Sequence, residues 1–158
     1  MIEAHTDVIG SLLRPPGLLE AQKKLASGQL AATEFKRIED RAVDDALRLQ
    51  EEAGLEVVTD GEMRRLSFQS QVTAAVEGFG EWDLDTFLWG EWQSADLGEM
   101  LEELVWRIKE ANAFVPPERL AISTQCGFAS SVIGNVLSAE DQRAKLRVVS
   151  DTARAVWP

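Results

Sequence analysis

The chain has 158 residues, the length of one domain, since compact domains run to about 100–200 residues. A chain of this length buries about two thirds of its unfolded surface, so it needs neither disulfides nor metal to fold. Its 16 Lys and Arg residues stand against 27 Asp and Glu residues, which gives a net charge of −11. So acidic a surface repels phosphate backbones and anionic lipids, and we expect no nucleic-acid or membrane partner.

The sequence has one cysteine and one histidine, which limits the disulfides and metal sites that it can form. A single cysteine excludes an intrachain disulfide and a zinc finger. No stretch approaches the ~18–20 apolar residues of a membrane span. The N-terminal residues lack the basic and apolar regions of a signal peptide. We therefore expect a reduced, cytoplasmic protein.

The first half of the chain predicts strands alternating with helices. Residues 7–10 form a short apolar run that predicts a strand ending at Gly10, and the prolines at 15 and 16 predict a loop. A helix is predicted over 18–26. Apolar residues recur every three to four positions over 33–53, which predicts a helix capped by its first residue and stopped by the following glycine. The β-branched run 55–59 predicts a second strand.

The second half begins with residues 66–95, where aromatic and glycine residues follow no period and predict an irregular or hairpin-forming segment. Residues 97–111 predict a helix with Asp96 and Glu99 at its cap, and residues 120–124 predict a strand. A last helix is predicted to start at Ser138, with Asp141 three residues on. Helices between single apolar strands favour parallel βαβ units, so the fold class is α/β. Because a complete (β/α)8 barrel takes about 250 residues, the chain is a small open domain or part of something larger.

Polar side chains follow each predicted strand, where parallel α/β folds place their sites. Ser11 follows the first strand, Asp60 and Glu62 follow the second, and Cys126 follows the third. A carboxylate such as Glu62 can hold a substrate cation, for example an α-ammonium group. A loop thiol such as Cys126 is a candidate nucleophile or metal ligand.

Structural interpretations stand beside each of these. Gly10–Ser11 and Asp60–Glu62 are also typical of tight turns, and a lone cysteine is often an apolar filler. Arg64 and Arg65 could pair with the nearby acids or with a substrate carboxylate, and a solvated charge cluster is expected for at least one of them. His5 lies at the opposite end of the first strand, so a structural role or a place near a substrate loop is expected.

The aromatic residues of 66–95 also allow two interpretations. Trp82, Phe87, Trp89 and Trp92 could stack on a flat ligand, although core packing or an oligomer contact is the commoner use. No glycine-rich phosphate-binding pattern is present, so nucleotide binding has no support.

Several of these segments together resemble a known family. Residues 5–15 (HTDVIGSLLRP) and 54–65 (GLEVVTDGEMRR) look like the first two βα units of the cobalamin-independent methionine synthase family, of the catalytic C-terminal barrel type. Residues 120–128 and 145–157 look like its last strand and helix. Residues 87–90 (FLWG) are similar to a segment of its stand-alone bacterial members. The resemblance covers most of the chain.

The resemblance implies a (β/α)8 TIM-type barrel that transfers a methyl group from a methyltetrahydrofolate to the thiol of homocysteine, a small-molecule substrate. It implies zinc as the cofactor, because zinc lowers the pKa of a bound thiol. It also implies that Ile9, Gly10 and Ser11 hold the amino-acid substrate, that Glu62 binds its ammonium group, and that Cys126 is the last zinc ligand.

The chain departs from the family pattern in its middle. The His-x-Cys pair that supplies other zinc ligands is missing, and so is the catalytic histidine, so no catalytic residue is assigned. Residues 1–92 resemble the first βα units and 97–158 the last, with a join within 92–100. We therefore predict that residues 1–158 form a single incomplete barrel domain with strands 1, 2 and the last retained and the central units missing. Without those zinc ligands the chain is expected to be inactive alone.

Two alternatives stay open. One is a non-catalytic barrel remnant, whose open sheet edges would drive association into a homo-oligomer. The other is an alkyltransferase that acts on a different thiol, such as coenzyme M.

Overall fold

The computed structural model describes residues 4–65, 97–124, 127–129 and 137–157. Within these ranges the fold is mixed α/β, with four α-helices and a two-stranded parallel sheet. The strands are β1 (Thr6–Val8) and β2 (Ile122–Thr124). The helices are α1 (Pro16–Ala26), α2 (Ala32–Ala53), α3 (Leu97–Ala111) and α4 (Ala139–Val156), and a 3-10 turn spans Pro117–Arg119.

The sheet joins the first and last strands of the described chain. Thr6 lies opposite Ile122 and Val8 lies opposite Thr124, in parallel register. Both strands were predicted from sequence, and both are shorter than their apolar runs. The pairing continues past the strands as a single parallel bridge between Ser11 and Gly127. The carboxyl ends of both strands therefore lead to the same place.

The prediction of a second strand over 55–59 is wrong. Only one backbone hydrogen bond joins this segment to β1, from the Val57 nitrogen to the Thr6 oxygen at 3.0 Å. Side chains bind other backbone groups of the two segments. The Glu56 carboxylate accepts hydrogen bonds from the backbone nitrogens of His5 and Thr6, at 2.6 and 3.0 Å. The segment thus lies along β1 without forming a regular ladder.

Helices α1 and α2 differ from their predicted starts. Helix α1 begins at Pro16 rather than in the following residues, because the fixed φ of proline suits the first helical position. Helix α2 begins at Ala32, so Thr33 lies inside the first turn and does not cap it. Its end is as predicted, since Gly54 adopts a left-handed φ of 83° and its N–H bonds the Glu51 carbonyl.

Helices α3 and α4 follow their sequence patterns. The range predicted for α3 is confirmed. Helix α4 begins with the predicted capping box, in which the Ser138 hydroxyl accepts from the Asp141 nitrogen and the Asp141 carboxylate accepts from the Ser138 nitrogen. This box satisfies backbone donors that the first turn would otherwise leave unpaired.

The core lies between α2, α4 and the sheet. The stripe of α2 contributes small residues, Ala42, Ala46 and Ala53, which let another backbone approach closely. Leu146 of α4 is completely buried in the same cluster. A direct contact joins the two helices, since the Ser150 hydroxyl donates to the Ala53 carbonyl at 2.6 Å.

Some sequence predictions lie outside the described residues. These are the irregular segment 66–95 with its aromatic residues, and the proposed cap of α3 by Asp96 with Glu99. Among the described helices, none combines the length and the apolar character that crossing a bilayer requires.

Candidate functional site

Three loops meet beyond the carboxyl ends of the two strands. The loop after β1 contacts the loop at 59–65, since the Leu12 nitrogen donates to the Gly61 oxygen at 3.0 Å. It also contacts the loop after β2 through the Ser11–Gly127 bridge. Cys126 lies outside the described residues, one position before that bridge. The structure thus brings together the backbones around Ser11 and Glu62.

Ile9 and Gly10 form the exit from β1. The Ile9 nitrogen donates to the Ser123 hydroxyl at 3.0 Å, and its carbonyl accepts from the Thr124 hydroxyl at 2.9 Å. Ile9 as a whole is 58% exposed. Gly10 has a φ of 95°, which L-residues adopt rarely, and this turns the chain toward Ser11.

Ser11 is completely buried, and its polar groups bind the loop after β2. Its hydroxyl accepts a hydrogen bond from the Ala129 nitrogen at 3.2 Å, and its carbonyl accepts from the Phe128 nitrogen at 2.5 Å. The serine therefore joins two loops of the site. Substrate contact by Ile9, Gly10 and Ser11 stays a prediction.

Glu62 is held in an unusual backbone conformation. Its φ is 56°, the left-handed region that side chains rarely adopt and that costs about 1 kcal/mol or more. The Asp60 carboxylate accepts from the Glu62 nitrogen at 2.9 Å, which closes a turn. One side-chain oxygen, Oε1, accepts from Arg65 at 3.2 Å. The other, Oε2, is buried and has no hydrogen-bond partner among the described residues.

A buried guanidinium, Arg14, lies at the junction of two of these loops. Its Nη1 donates to the Ala129 carbonyl at 2.8 Å, and its Nη2 donates to the carbonyls of Arg65 at 2.9 Å and Glu62 at 3.3 Å. Burial lowers the pKa of Arg14, and attraction to Glu62 offsets part of that change. These contacts of Arg14 were not predicted from the sequence. The sequence feature that could have indicated such a role is a single charged residue between two leucines and two prolines.

Gln50 is a second residue whose part was not predicted. It is completely buried on the apolar stripe of α2. Its amide oxygen accepts from the Thr59 nitrogen at 3.0 Å, and its amide nitrogen donates to the Thr59 oxygen at 2.8 Å. Gln50 therefore binds the start of the Glu62 loop as a neighbouring strand would. A polar residue within an otherwise apolar stripe is the sequence signal for such a contact.

Arg64 forms a charge cluster with α2. It donates to Glu39 at 2.7 Å and to Asp40 at 2.8 Å. The hydrogen bond with Asp40 is the main cause that raises the pKa of Arg64. This confirms the expected solvated cluster for one of the two arginines, while Arg65 pairs with Glu62.

His5 lies at the opposite end of β1 from Ser11. Its ring stacks on Trp157 with centroids 4.4 Å apart and planes 3° from parallel. Nδ1 lies 2.8 Å from the Leu120 carbonyl and must carry a proton there, because a carbonyl only accepts. Of the two roles expected for His5, these contacts support the structural one.

The described residues do not form a zinc site. No group of three or more His, Cys, Asp or Glu side chains among them could hold a metal ion. The whole sequence has one histidine and one cysteine, and His5 is committed elsewhere. A catalytic zinc needs three protein ligands, so the described donors do not fit this metal.

An open groove of about 620 Å³ lies beside the site. The loop 12–16, Met63 and Ala129 line it together with residues of α1, α2 and α4. The lining includes charged and polar side chains as well as apolar ones, among them Asp45, Gln142 and Arg143. None of the predicted site residues that the structure describes (Ile9, Gly10, Ser11 and Glu62) lines the groove, so the candidate site is the junction of the three loops.

Part of the chain is similar to three named proteins. It is 52% identical over 56 residues to the uncharacterized protein YxjH of Bacillus subtilis, covering 35% of this chain and 15% of that protein. It is 35% identical over 74 residues to the methionine synthase of Pyrococcus furiosus, covering 47% and 22%. It is 34% identical over 74 residues to the 5-methyltetrahydropteroyltriglutamate–homocysteine methyltransferase of Acidiphilium cryptum, covering 47% and 10%.

These similarities are partial. The aligned segments span at most 22% of the length of these three relatives. No family model matches the chain, and no solved structure matches it. The comparisons support a relationship between about half of this chain and proteins named as methionine synthases.

Proposed function

We propose that this chain derives from a homocysteine methyltransferase and that its three-loop site binds the amino-acid end of the thiol substrate. The observation that carries the proposal is the carboxylate of Glu62. Its Oε2 is buried, and no described residue donates to it. A buried carboxylate oxygen without a donor is costly, and an ammonium group would supply a charge-assisted hydrogen bond.

The arrangement of strands supports the proposed ancestry. In a closed parallel barrel the first strand lies between the second and the last. Here β1 pairs with β2, the last described strand, and the segment containing Val57 makes its one backbone bond to β1. This is the order expected if 1–92 derive from the first βα units and 97–158 from the last.

The site residues have different roles in the proposed binding. Glu62 Oε2 accepts a hydrogen bond from the ammonium group, while Arg65 donates a hydrogen bond to Oε1. Ser11 keeps the loop after β2 against the loop after β1. In a methyltransferase of this type, zinc would supply a bound thiolate. The described donors do not fit zinc, and we propose that the chain alone does not catalyse transfer from a methyltetrahydrofolate.

Binding of L-methionine, measured by titration calorimetry, tests the proposal. We expect the wild-type chain to bind it and Glu62→Gln to weaken it by about tenfold or more, since hydrogen bonds to charged groups are worth about 1.5–3 kcal/mol. Glu39→Gln is the matched control, because the Glu39 and Glu62 side chains are both 16% exposed and both pair with an arginine. Absence of binding, or an equal loss in both variants, would contradict the proposal.

Metal analysis tests the proposal that the chain alone does not catalyse methyl transfer. We expect purified chain to carry well under one equivalent of zinc and to give no thiol methylation. A full equivalent of zinc that is lost on Cys126→Ala, together with methylation of homocysteine, would show an active enzyme instead. The cytoplasmic location and a homo-oligomer through open edges stay predictions, and light scattering tests the second.

A further inference from the structure

The loop after β1 places one buried side chain between the two other loops of the site. Arg14 is 7% exposed, and its three described donor contacts all go to backbone carbonyls. Two of these carbonyls, of Glu62 and Arg65, belong to the loop that carries the candidate ligand-binding carboxylate. The third, of Ala129, belongs to the loop after β2.

The contact with Glu62 bears on its backbone conformation. A residue with a side chain keeps a positive φ only where surrounding contacts hold it there. At Glu62 the N–H is bound by Asp60 and the carbonyl by Arg14. The guanidinium is rigid and planar, and its five N–H donors lie on three nitrogens, so it can reach carbonyls on separate loops. The three N–H donors of an ammonium group all lie on one nitrogen.

We propose that Arg14 is a positioning residue that fixes the backbone of Glu62 and couples the Glu62 loop to the loop after β2. Ligand binding through Glu62 rests on the proposed function, whereas the coupling of the two loops is a property of the unliganded chain. Loss of the guanidinium removes the hydrogen bonds that hold both loops, so both become more mobile. Glu62 then leaves its left-handed conformation, and its carboxylate is no longer held in one orientation.

Hydrogen exchange of the full unliganded chain tests the coupling. In Arg14→Gln we expect amides of both loops, 60–65 and 127–129, to exchange about tenfold faster or more, as loss of hydrogen bonds from a charged donor implies. Arg14→Lys keeps the charge and covers the case in which Arg14→Gln does not fold. It should unfold cooperatively and still lose protection in both loops. The control is Arg48→Lys, whose side chain is 63% exposed on α2.

Faster exchange in only one loop, or in neither, would overturn the proposal. So would an Arg48→Lys variant that changes the same amides. These results do not depend on any ligand, so they decide the coupling even if the wild-type chain binds no amino acid and the proposed function fails.

A second measurement separates positioning from general destabilisation. Arg14→Lys should weaken binding of L-methionine by about tenfold and change binding of its des-amino analogue, 4-(methylthio)butyrate, less than about twofold. In a Glu62→Gln background, Arg14→Lys should cause no further loss, because residues that act through one another are not additive. Equal weakening of both ligands would indicate a merely structural role and overturn the positioning of Glu62.

Discussion

Gly127 lies directly against the backbone of Ser11. Its φ is 73°, and a Cβ atom built there would lie 2.6 Å from the Gly10 carbonyl carbon and closer still to the backbone nitrogen and oxygen of Ser11. Only a residue without a side chain can approach so closely. The loop after β2 therefore reaches the buried serine because position 127 is glycine.

We expect Gly127→Ala to lower the free energy of unfolding by about 2–4 kcal/mol, since it adds a steric overlap to an unfavourable φ. Gly28→Ala is the matched control. Gly28 has a φ of 71° with nothing within 4 Å of its built Cβ, so this variant should cost only about 1 kcal/mol. Urea unfolding measures both values. Equal losses of unfolding free energy in the two variants would contradict a close contact between Gly127 and Ser11.

We expect Gln50→Met to destabilise the chain by about 2–3 kcal/mol. The substitution keeps the volume and leaves the N–H and the carbonyl of Thr59 without their partner. Gln29→Met, at an exposed position, should stay within about 0.5 kcal/mol of wild type. Denaturant unfolding gives both numbers. A neutral Gln50→Met would show that Thr59 needs no partner from α2.

The cap of α4 predicts a pH dependence. The Ser138 hydroxyl, and then its backbone N–H, hold the pKa of Asp141 below its usual value of about 3.9. A carboxyl whose folded pKa is depressed stabilises the fold above its unfolded pKa, and this contribution is lost as the pH falls through the folded pKa. Wild type should therefore exceed Asp141→Asn in stability at pH 7, and the difference should shrink as the pH falls below the usual carboxyl pKa of about 4.

Urea midpoints measured across that pH range test this prediction. Ser138→Ala should remove most of the same pH-dependent difference, because it removes the hydroxyl donor. A difference between wild type and Asp141→Asn that stays constant with pH would contradict it.

The contact between His5 and Trp157 joins the start of β1 to the end of α4. We expect His5→Ala to cost about 1.5–2.5 kcal/mol, because it removes the ring stack and the hydrogen bond to the Leu120 carbonyl. His5→Phe keeps the stack and should cost about 1 kcal/mol less. Thermal and urea unfolding compare the two variants. Identical losses would show that the stack contributes nothing.

The segment 55–59 shows where sequence reasoning stops. Its β-branched residues predict a strand; the segment lies beside β1 and bonds it once, but it forms no strand. No regular ladder forms, because the Glu56 carboxylate binds the N–H groups of His5 and Thr6, and the Gln50 amide binds both backbone polar groups of Thr59. Propensity describes which backbone shape a segment favours, and it carries no information about which partner is available.

The sequence by itself determined the helices, the stop at Gly54, the capping box of α4 and the two strands of the sheet. These depend on side chains a few positions apart, so local spacing encodes them. Only the tertiary structure decided the role of Arg14, whose carbonyl partners lie 48 to 115 residues away in the chain. It also decided that Ser11 is buried against Gly127. Contacts between residues so far apart form only when the core has packed, and no local pattern specifies them.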